Sequence, residues 1–511
     1  MKTVFLLFDS LNRKALGAYG GSVATPNFDR LAARAVTFDN HYTGSLPCMP
    51  ARRDHHTGRY GFFHAAWGPL EPFDNSYGRL LRETVGTYCH LVTDHFHYFE
   101  DGGLCYHTTF DTWENIRGQE YDPWKPTLHA DLEKLRGIYD PRHYDFSSTA
   151  RAGHKLQHAM NRAAMAEEAH FPLPRCFAAG FEFLDAARGR DDWLLQLECF
   201  DPHEPFHVPE RFERRYDPGD RGLVLDWPAY ARVTESEEEV RAIRAKYAAL
   251  VAMCDDYLGR LLDRFDAEDL WANTALIATT DHGYLLSEHD WWAKVKMPHY
   301  QEIAHIPLMI HHPGMASQGG TRRRAVTSAI DILPTLAELH GAPIPPETRG
   351  QSLLPLLEAD GPGHEVALSG VFGGPMLITD GDFAFHYRPR WLDSTNLYEY
   401  RLLPMHMRGP FSLQELRHME LVEPFAHTKG VQVLKIKARD DAKRVPNHDG
   451  EGFEDAATRL YDLRTDPGEA HPFRDPAIEA RLLAAAARVM REHDAPQEMF
   501  ERFALEAGRR A

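Results

Sequence analysis

The first apolar run of the chain, Val4 to Phe8, is continuous rather than alternating and stops at Asp9. Such a run fits a strand covered on both faces, and it is shorter than the roughly 7–15 residues of a secretory signal core. Thr25-Pro26 then offers a helix N-cap followed by proline at the first helical position, with Phe28, Leu31, Ala32 and Ala35 at helical spacing behind it. A second continuous run, Trp193 to Phe200, ends at Asp201-Pro202, and a third, Thr274 to Thr279, leads into Thr280-Asp281-His282-Gly283. Between them Val240, Ile243, Tyr247, Val251, Cys254, Leu258 and Leu261 recur at helical period. Ile306 to Ile310 reads as a further strand, and Asp331 to His340 as a helix stopped by Gly341.

Alternating strands and helices predict an α/β fold, a large and mostly parallel sheet sandwiched by helices. In such sheets ligands bind beyond the carboxyl ends of the strands. Asp9 and the pair Asp281-His282 both fall there, which brings distant segments to one edge. Beyond about residue 365 the segments shorten and carry more Gly and Pro, before a last helix from about Ala477 to Ala504. The expected division is a catalytic α/β domain over residues 1–365 and a smaller α+β subdomain over 366–511 that completes the pocket.

Composition narrows the field. The 511 residues hold 57 Lys+Arg against 75 Asp+Glu, a formal charge of −18, which argues against nucleic-acid or anionic-membrane partners. It leaves room for a small anionic substrate, because a pocket needs only a few local cations. No apolar run approaches the roughly 20 residues that span a bilayer. Six cysteines at scattered positions, with no C-x-x-C pair, fit reduced thiols and a cytoplasmic setting. Thirty histidines point to metal, acid–base or anion chemistry without locating it.

The segment richest in chemistry is Ser45-Leu46-Pro47-Cys48-Met49-Pro50-Ala51-Arg52, followed by Thr57-Gly58-Arg59. Pro50 suits a first helical turn, so Cys48 is expected at a helix N-terminus, with Arg52 one turn on offering a bidentate cation to the same spot. On this local pattern alone a buried structural cysteine fits as well.

The pattern C-x-P-x-R followed by T-G resembles the signature of the sulfatase family of the alkaline phosphatase superfamily, near its arylsulfatase and phosphonate monoester hydrolase branch. Asp9 with Leu16 to Gly20 and Thr25 to Leu31, Thr280 to Gly283, Asp331 to Leu336, Gly350 to Leu354, and Leu460 to Glu469 are similar to later landmarks in the family's order. The resemblance implies an alkaline-phosphatase-like fold and conversion of Cys48 to Cα-formylglycine by a formylglycine-generating enzyme. It implies one divalent metal ion held by Asp9, Cys48, Asp281 and His282. The activity implied is hydrolysis of a small anionic sulfate ester through S–O cleavage and a covalent sulfo-enzyme. An aldehyde hydrate suits this, since its second hydroxyl can expel sulfate where a thiol would be left as a stable adduct.

Three departures matter. Ser10 and Asn12 stand where many sulfatases have an acid and an arginine, and His282 stands where many have asparagine. Exchanging a hard oxygen ligand for imidazole moves the preference from calcium toward manganese or zinc and favours an alternative, phosphonate monoester or phosphodiester hydrolysis by the same nucleophile. Lys294, thirteen positions after Asp281, matches the family's leaving-group lysine, with Lys296 as the solvated alternative. His203-Glu204-Pro205-Phe206-His207 spells H-E-x-x-H, but prolines at 202, 205 and 209 forbid the helix a zinc protease requires. The segment instead resembles the family's P-H-x-P-F loop, which makes His203 a general acid or anion donor and His207 a packing residue. Thr93-Asp94-His95-Phe96-His97 replaces the family's G-K-x-H, so Thr93 and His97 are expected at the substrate, His95 and His97 on one side of a strand, and Trp67 as an apolar wall. A non-catalytic binding protein that keeps the scaffold, with Cys48 unmodified, is the reading from another class. Homo-oligomerisation through the smaller unit or the termini is also expected.

Overall fold

The computed structural model describes residues 1–147, 150–216, 222–438 and 453–506. Its centre is an eight-stranded sheet built from β1 (Lys2–Phe8), β2 (Val36–Tyr42), β3 (Tyr88–Thr93), β4 (Thr112–Asn115), β5 (Trp193–Cys199), β6 (Thr274–Thr279), β7 (Leu308–His311) and β8 (Arg322–Ser328). The order across the sheet is β8-β2-β7-β6-β1-β5-β3-β4. Only β7 runs against its neighbours β2 and β6; the other pairings are parallel.

The apolar run at the start of the chain shows why both faces are covered. Val4, Leu6 and Phe8 pack into one layer with α1 (Pro26–Ala32), α5 (Pro172–Ala186) and the long α6 (Glu237–Ala267), while Phe5 and Leu7 pack into the other with α3 (Tyr77–Val85) and α7 (Ile332–His340). Alternate side chains of one strand thus feed two cores, and neither face can carry a polar residue without a partner. Gly341, at φ 70°, ends α7 in the left-handed conformation that glycine adopts without strain.

The sheet fixes the site by register. Phe8 lies beside Cys199, and Leu7 beside Thr279, so Asp9 and Asp281 leave adjacent strands at the same edge. The helix α2 (Cys48–Thr57) runs from that edge, and all ten of its residues are buried. The helix α4 (Ala150–Arg162) stands on the same side, where its residues His154 and Lys155 line the cavity in front of Cys48.

A second, antiparallel sheet holds β9 (Ala367–Gly370), β10 (Met376–Thr379), β11 (Phe383–Tyr387) and β15 (Arg459–Asp462). A third pairs β12 (Tyr398–Arg401), β13 (Glu420–Val422) and β14 (Val433–Lys437). The expected final helix is two, α8 (Pro476–Glu492) and α9 (Gln497–Arg502), parted at Asp494, whose φ of 55° no helix continues. Among the described residues no helix is long and apolar enough to cross a membrane.

Candidate active site

Cys48 is the first residue of α2, at a helix terminus as its sequence context predicts. The loop before it is held by Asp54, whose carboxylate accepts from the backbone N–H and hydroxyl of Ser45 at 2.6 and 2.8 Å and from Gly61 N–H at 2.8 Å. Thr43 Oγ1 donates to the carbonyl of Asp281 at 2.6 Å, tying that loop to the end of β6.

At the sheet edge Asp9, Cys48, Asp281 and His282 each bring one ligand atom into a group within 4.8 Å. Cys48 Sγ is 3.3 Å from His282 Nε2 and 3.9 Å from Asp9 Oδ1. The other nitrogen of His282, Nδ1, donates to the Gly283 carbonyl at 3.0 Å, which leaves Nε2 with its lone pair toward the group. Burial pulls the His282 pKa down to about 3, so the ring is neutral.

Arg52 departs from the anion clamp expected of it. Its Nε donates to Glu198 at 2.6 Å, Nη1 to Asp281 at 2.7 Å and to the Cys48 carbonyl at 3.0 Å, and Nη2 to Asp9 at 2.9 Å. One guanidinium therefore ties three buried carboxylates together, and its planar fork serves the protein. Lys294 supplies the second cation. Its ammonium donates to Ser10 Oγ at 2.9 Å and lies 3.8 Å from Cys48 Sγ, and Ser10 in turn donates to Asp9 at 2.8 Å. Burial would lower the Lys294 pKa, but Cys48, Glu204, Asp9 and Asp281 hold it above the usual value. Asp9, Asp281 and Glu198 outnumber these two cations by one when all three are ionised. Burial and Asp281 accordingly push the Asp9 pKa up to about 8. Burial also acts on Asp281, but His282, Arg52 and Lys294 hold its pKa below the carboxylate range. Asp9 therefore keeps its proton near neutral pH, and a divalent cation would take that proton's place.

A second cluster, His289, Glu302 and Glu469, has a different character. Lys14 donates to Glu302 at 2.5 Å, and the oxygens of Glu469 accept from His386 and from Gln301 N–H, both at 2.7 Å. It is an ion-pair network with its own cation.

A cavity of about 340 Å³ opens in front of Cys48, and Trp67, His97, His203 and Lys294 line it. Segment 201–209 is not helical, as its prolines require. His203 Nδ1 bonds the Glu204 carbonyl at 2.5 Å, leaving Nε2 for the cavity, and burial with Lys294 nearby holds its pKa well below the usual value. His207 packs on Phe171 at 4.7 Å between ring centres. The expected strand through His97 ends at Thr93 and turns into a short helix, Phe96–Phe99. The His95 and His97 rings meet edge to face, 5.0 Å between centres, but take different polar neighbours. His95 Nδ1 lies 3.8 Å from Asp9, whereas His97 Nδ1 bonds Glu100 at 2.5 Å. Thr93 does not line the cavity; its hydroxyl accepts from His95 N–H at 2.9 Å.

Sequence reasoning passed over Glu198 and Glu204. Glu198 had a signal, an acid inside the apolar run Trp193 to Phe200, and it also accepts from Tyr98 at 2.9 Å. Glu204 takes a hydrogen bond from Tyr230 at 2.7 Å and lies 3.9 Å from the Lys294 ammonium.

Residues 2–342 match the family model for sulfatases. The chain belongs to the sulfatase family. It is a sulfuric-ester hydrolase by that membership, and curated relatives agree. The chain is 25% identical to the choline-sulfatase of Rhizobium meliloti (strain 1021) over 455 residues, 80% of this chain and 83% of that one. It is 27% identical to the multifunctional alkaline phosphatase superfamily protein PehA of Trinickia caryophylli over 382 residues, 65% and 71% of the two. Among solved structures, BT4656 in complex with D-glucosamine-2-N,6-O-disulfate superposes at TM-score 0.64 with 15% identity, covering 97% of this chain and 99% of that one. The phosphonate monoester hydrolase of Agrobacterium radiobacter superposes at 0.62 with 20% identity, covering 96% and 95%. These likenesses show that this sulfatase has the fold its sequence predicts.

Proposed function

We propose that this sulfatase cleaves the S–O bond of small sulfate esters with residue 48 as nucleophile, after a formylglycine-generating enzyme has converted Cys48 to formylglycine. One divalent cation, calcium or manganese, would be held by Asp9, Asp281, His282 and residue 48. The carrying observation is the convergence of these ligand atoms within 4.8 Å in a buried site. When bound, the cation supplies the positive charge that balances the carboxylates and attracts the sulfate oxygens. As a hydrated aldehyde, residue 48 would carry two hydroxyls on one carbon, one for attack and one for release of sulfate.

The remaining work falls to this chain's own residues. Arg52 keeps Asp9 and Asp281 in place and holds the carbonyl of residue 48. Lys294, kept charged by its carboxylate neighbours and fixed by Ser10, presents an ammonium to the departing ester oxygen. His203 is neutral at rest, so its cavity-facing Nε2 accepts rather than donates until the anionic substrate raises its basicity.

Phosphonate monoester or phosphodiester hydrolysis is the second reading, favoured by the imidazole of His282 in the ligand set. Rates on 4-nitrophenyl sulfate and on a 4-nitrophenyl phenylphosphonate separate the two. The first reading predicts faster release from the sulfate; a phosphonate rate higher by orders of magnitude would move the assignment to the second.

A further inference from the structure

Glu204 enters the chemistry above only as one of several charges near Lys294. It is 1% exposed and lines the cavity together with Lys294 and His203. Its Oε1 accepts from Tyr230 Oη at 2.7 Å, which fixes the carboxylate. Its Oε2 has no hydrogen-bond partner and lies 3.9 Å from the Lys294 ammonium. His203 Nδ1 is 3.1 Å from the same oxygen, but its hydrogen goes to the Glu204 carbonyl at 2.5 Å, so Lys294 is the group this charge can steer. Glu120, the other acid in the cavity lining, is paired with His97 at 3.6 Å.

The ammonium is held from two sides. Ser10 Oγ accepts from it at 2.9 Å and is itself bonded to Asp9, which draws the cation toward the sheet edge. Glu204 draws it toward the cavity, across a gap too long for a hydrogen bond. A charge that attracts without bonding sets where the ammonium rests and leaves a hydrogen for an incoming ester oxygen. Burial raises the Glu204 pKa, Lys294 lowers it, and Glu120 and Tyr230 act in opposite senses. We propose that Glu204 is a positioning residue that holds the Lys294 ammonium toward the cavity, where it meets the ester oxygen leaving sulfur. This inference rests on the sulfate-ester reading and deepens it.

Glu204→Gln keeps the shape and the Tyr230 contact but removes the charge. On phenethyl sulfate, whose alkoxide is a poor leaving group, it should lower kcat by about tenfold or more, and on 4-nitrophenyl sulfate by less than about threefold. KM should stay level or fall, because a carboxylate repels an anionic ester. In Lys294→Ala protein the same change should cost less than about twofold in kcat on phenethyl sulfate. Tyr230→Phe, which frees the carboxylate, should repeat the pattern more weakly, and it carries the test if Glu204→Gln does not fold. Equal losses on both esters, a loss through KM, additivity with Lys294→Ala or an unchanged kcat overturns the inference. Phenethyl and 4-nitrophenyl phenylphosphonates, run beside the sulfates, keep the two readings apart. The same pattern on phosphonates alone would sink the sulfate reading and keep the role of Glu204; turnover of sulfates without the pattern would sink that role alone.

Discussion

Lys294 shows how much of the candidate chemistry rests on single side chains. Its ammonium is buried, touches Ser10 and faces Cys48, so it can serve the ester oxygen that leaves sulfur as residue 48 attacks. Removing it in Lys294→Ala should lower kcat about 10²- to 10⁴-fold on an alkyl sulfate. The loss should be much smaller on 4-nitrophenyl sulfate, whose leaving group needs little proton donation. Equal losses on both would show that Lys294 does not act on the departing oxygen. Arg52 is the converse case, a cation whose work is internal. Arg52→Met leaves Glu198, Asp9 and Asp281 without their shared partner, and the expected loss of stability is about 3–5 kcal/mol by urea unfolding. A loss below 1 kcal/mol would mean that the triad of carboxylates is held some other way.

At the scale of elements, what was legible followed hydrophobic pattern. The runs ending at Asp9 and at Thr279 made strands, and strand ends in a parallel sheet bring their next residues together, so Asp9, Asp281 and His282 could be grouped from sequence. The segment after β3 could not be read the same way. Two-residue spacing places rings on one side only while the strand lasts, and it stops at Thr93. Glu120 lies in an irregular stretch with no period at all, which is why its placement came only with coordinates. The strap at residues 224–231 is another such stretch, and it carries Trp227 into the cavity wall. Asp226 anchors it, accepting from Tyr144 Oη and Arg162 Nη1, both at 2.5 Å. Burial opposes ionisation there, but Arg162 and Lys246 hold the pKa down to about 2. Because this lies below the unfolded value near 3.9, the carboxylate contributes stability above that pH and loses it as pH falls through about 2. The shift corresponds to about 2–3 kcal/mol. Urea unfolding should therefore show Asp226→Asn less stable than wild type at about pH 5, with the gap narrowing near pH 2. A gap independent of pH would contradict this.

For the whole molecule, the net charge of −18 and the cation-lined cavity belong together. An acidic surface repels anions at long range, so selectivity for an anionic ester must be local, in a few cations and the proposed metal. The family's order of landmarks made this architecture readable from the sequence, whereas the pocket's acids, Glu120 and Glu204, answer to tertiary contacts that no motif encodes. The proposed reaction turns on the state of residue 48. Peptide mass spectrometry across residues 45–59 of active protein purified from its native host measures that state. The account predicts oxygen in place of sulfur with the loss of two hydrogens at position 48, in proportion to specific activity on 4-nitrophenyl sulfate. A wholly intact thiol in protein that hydrolyses the ester would contradict it.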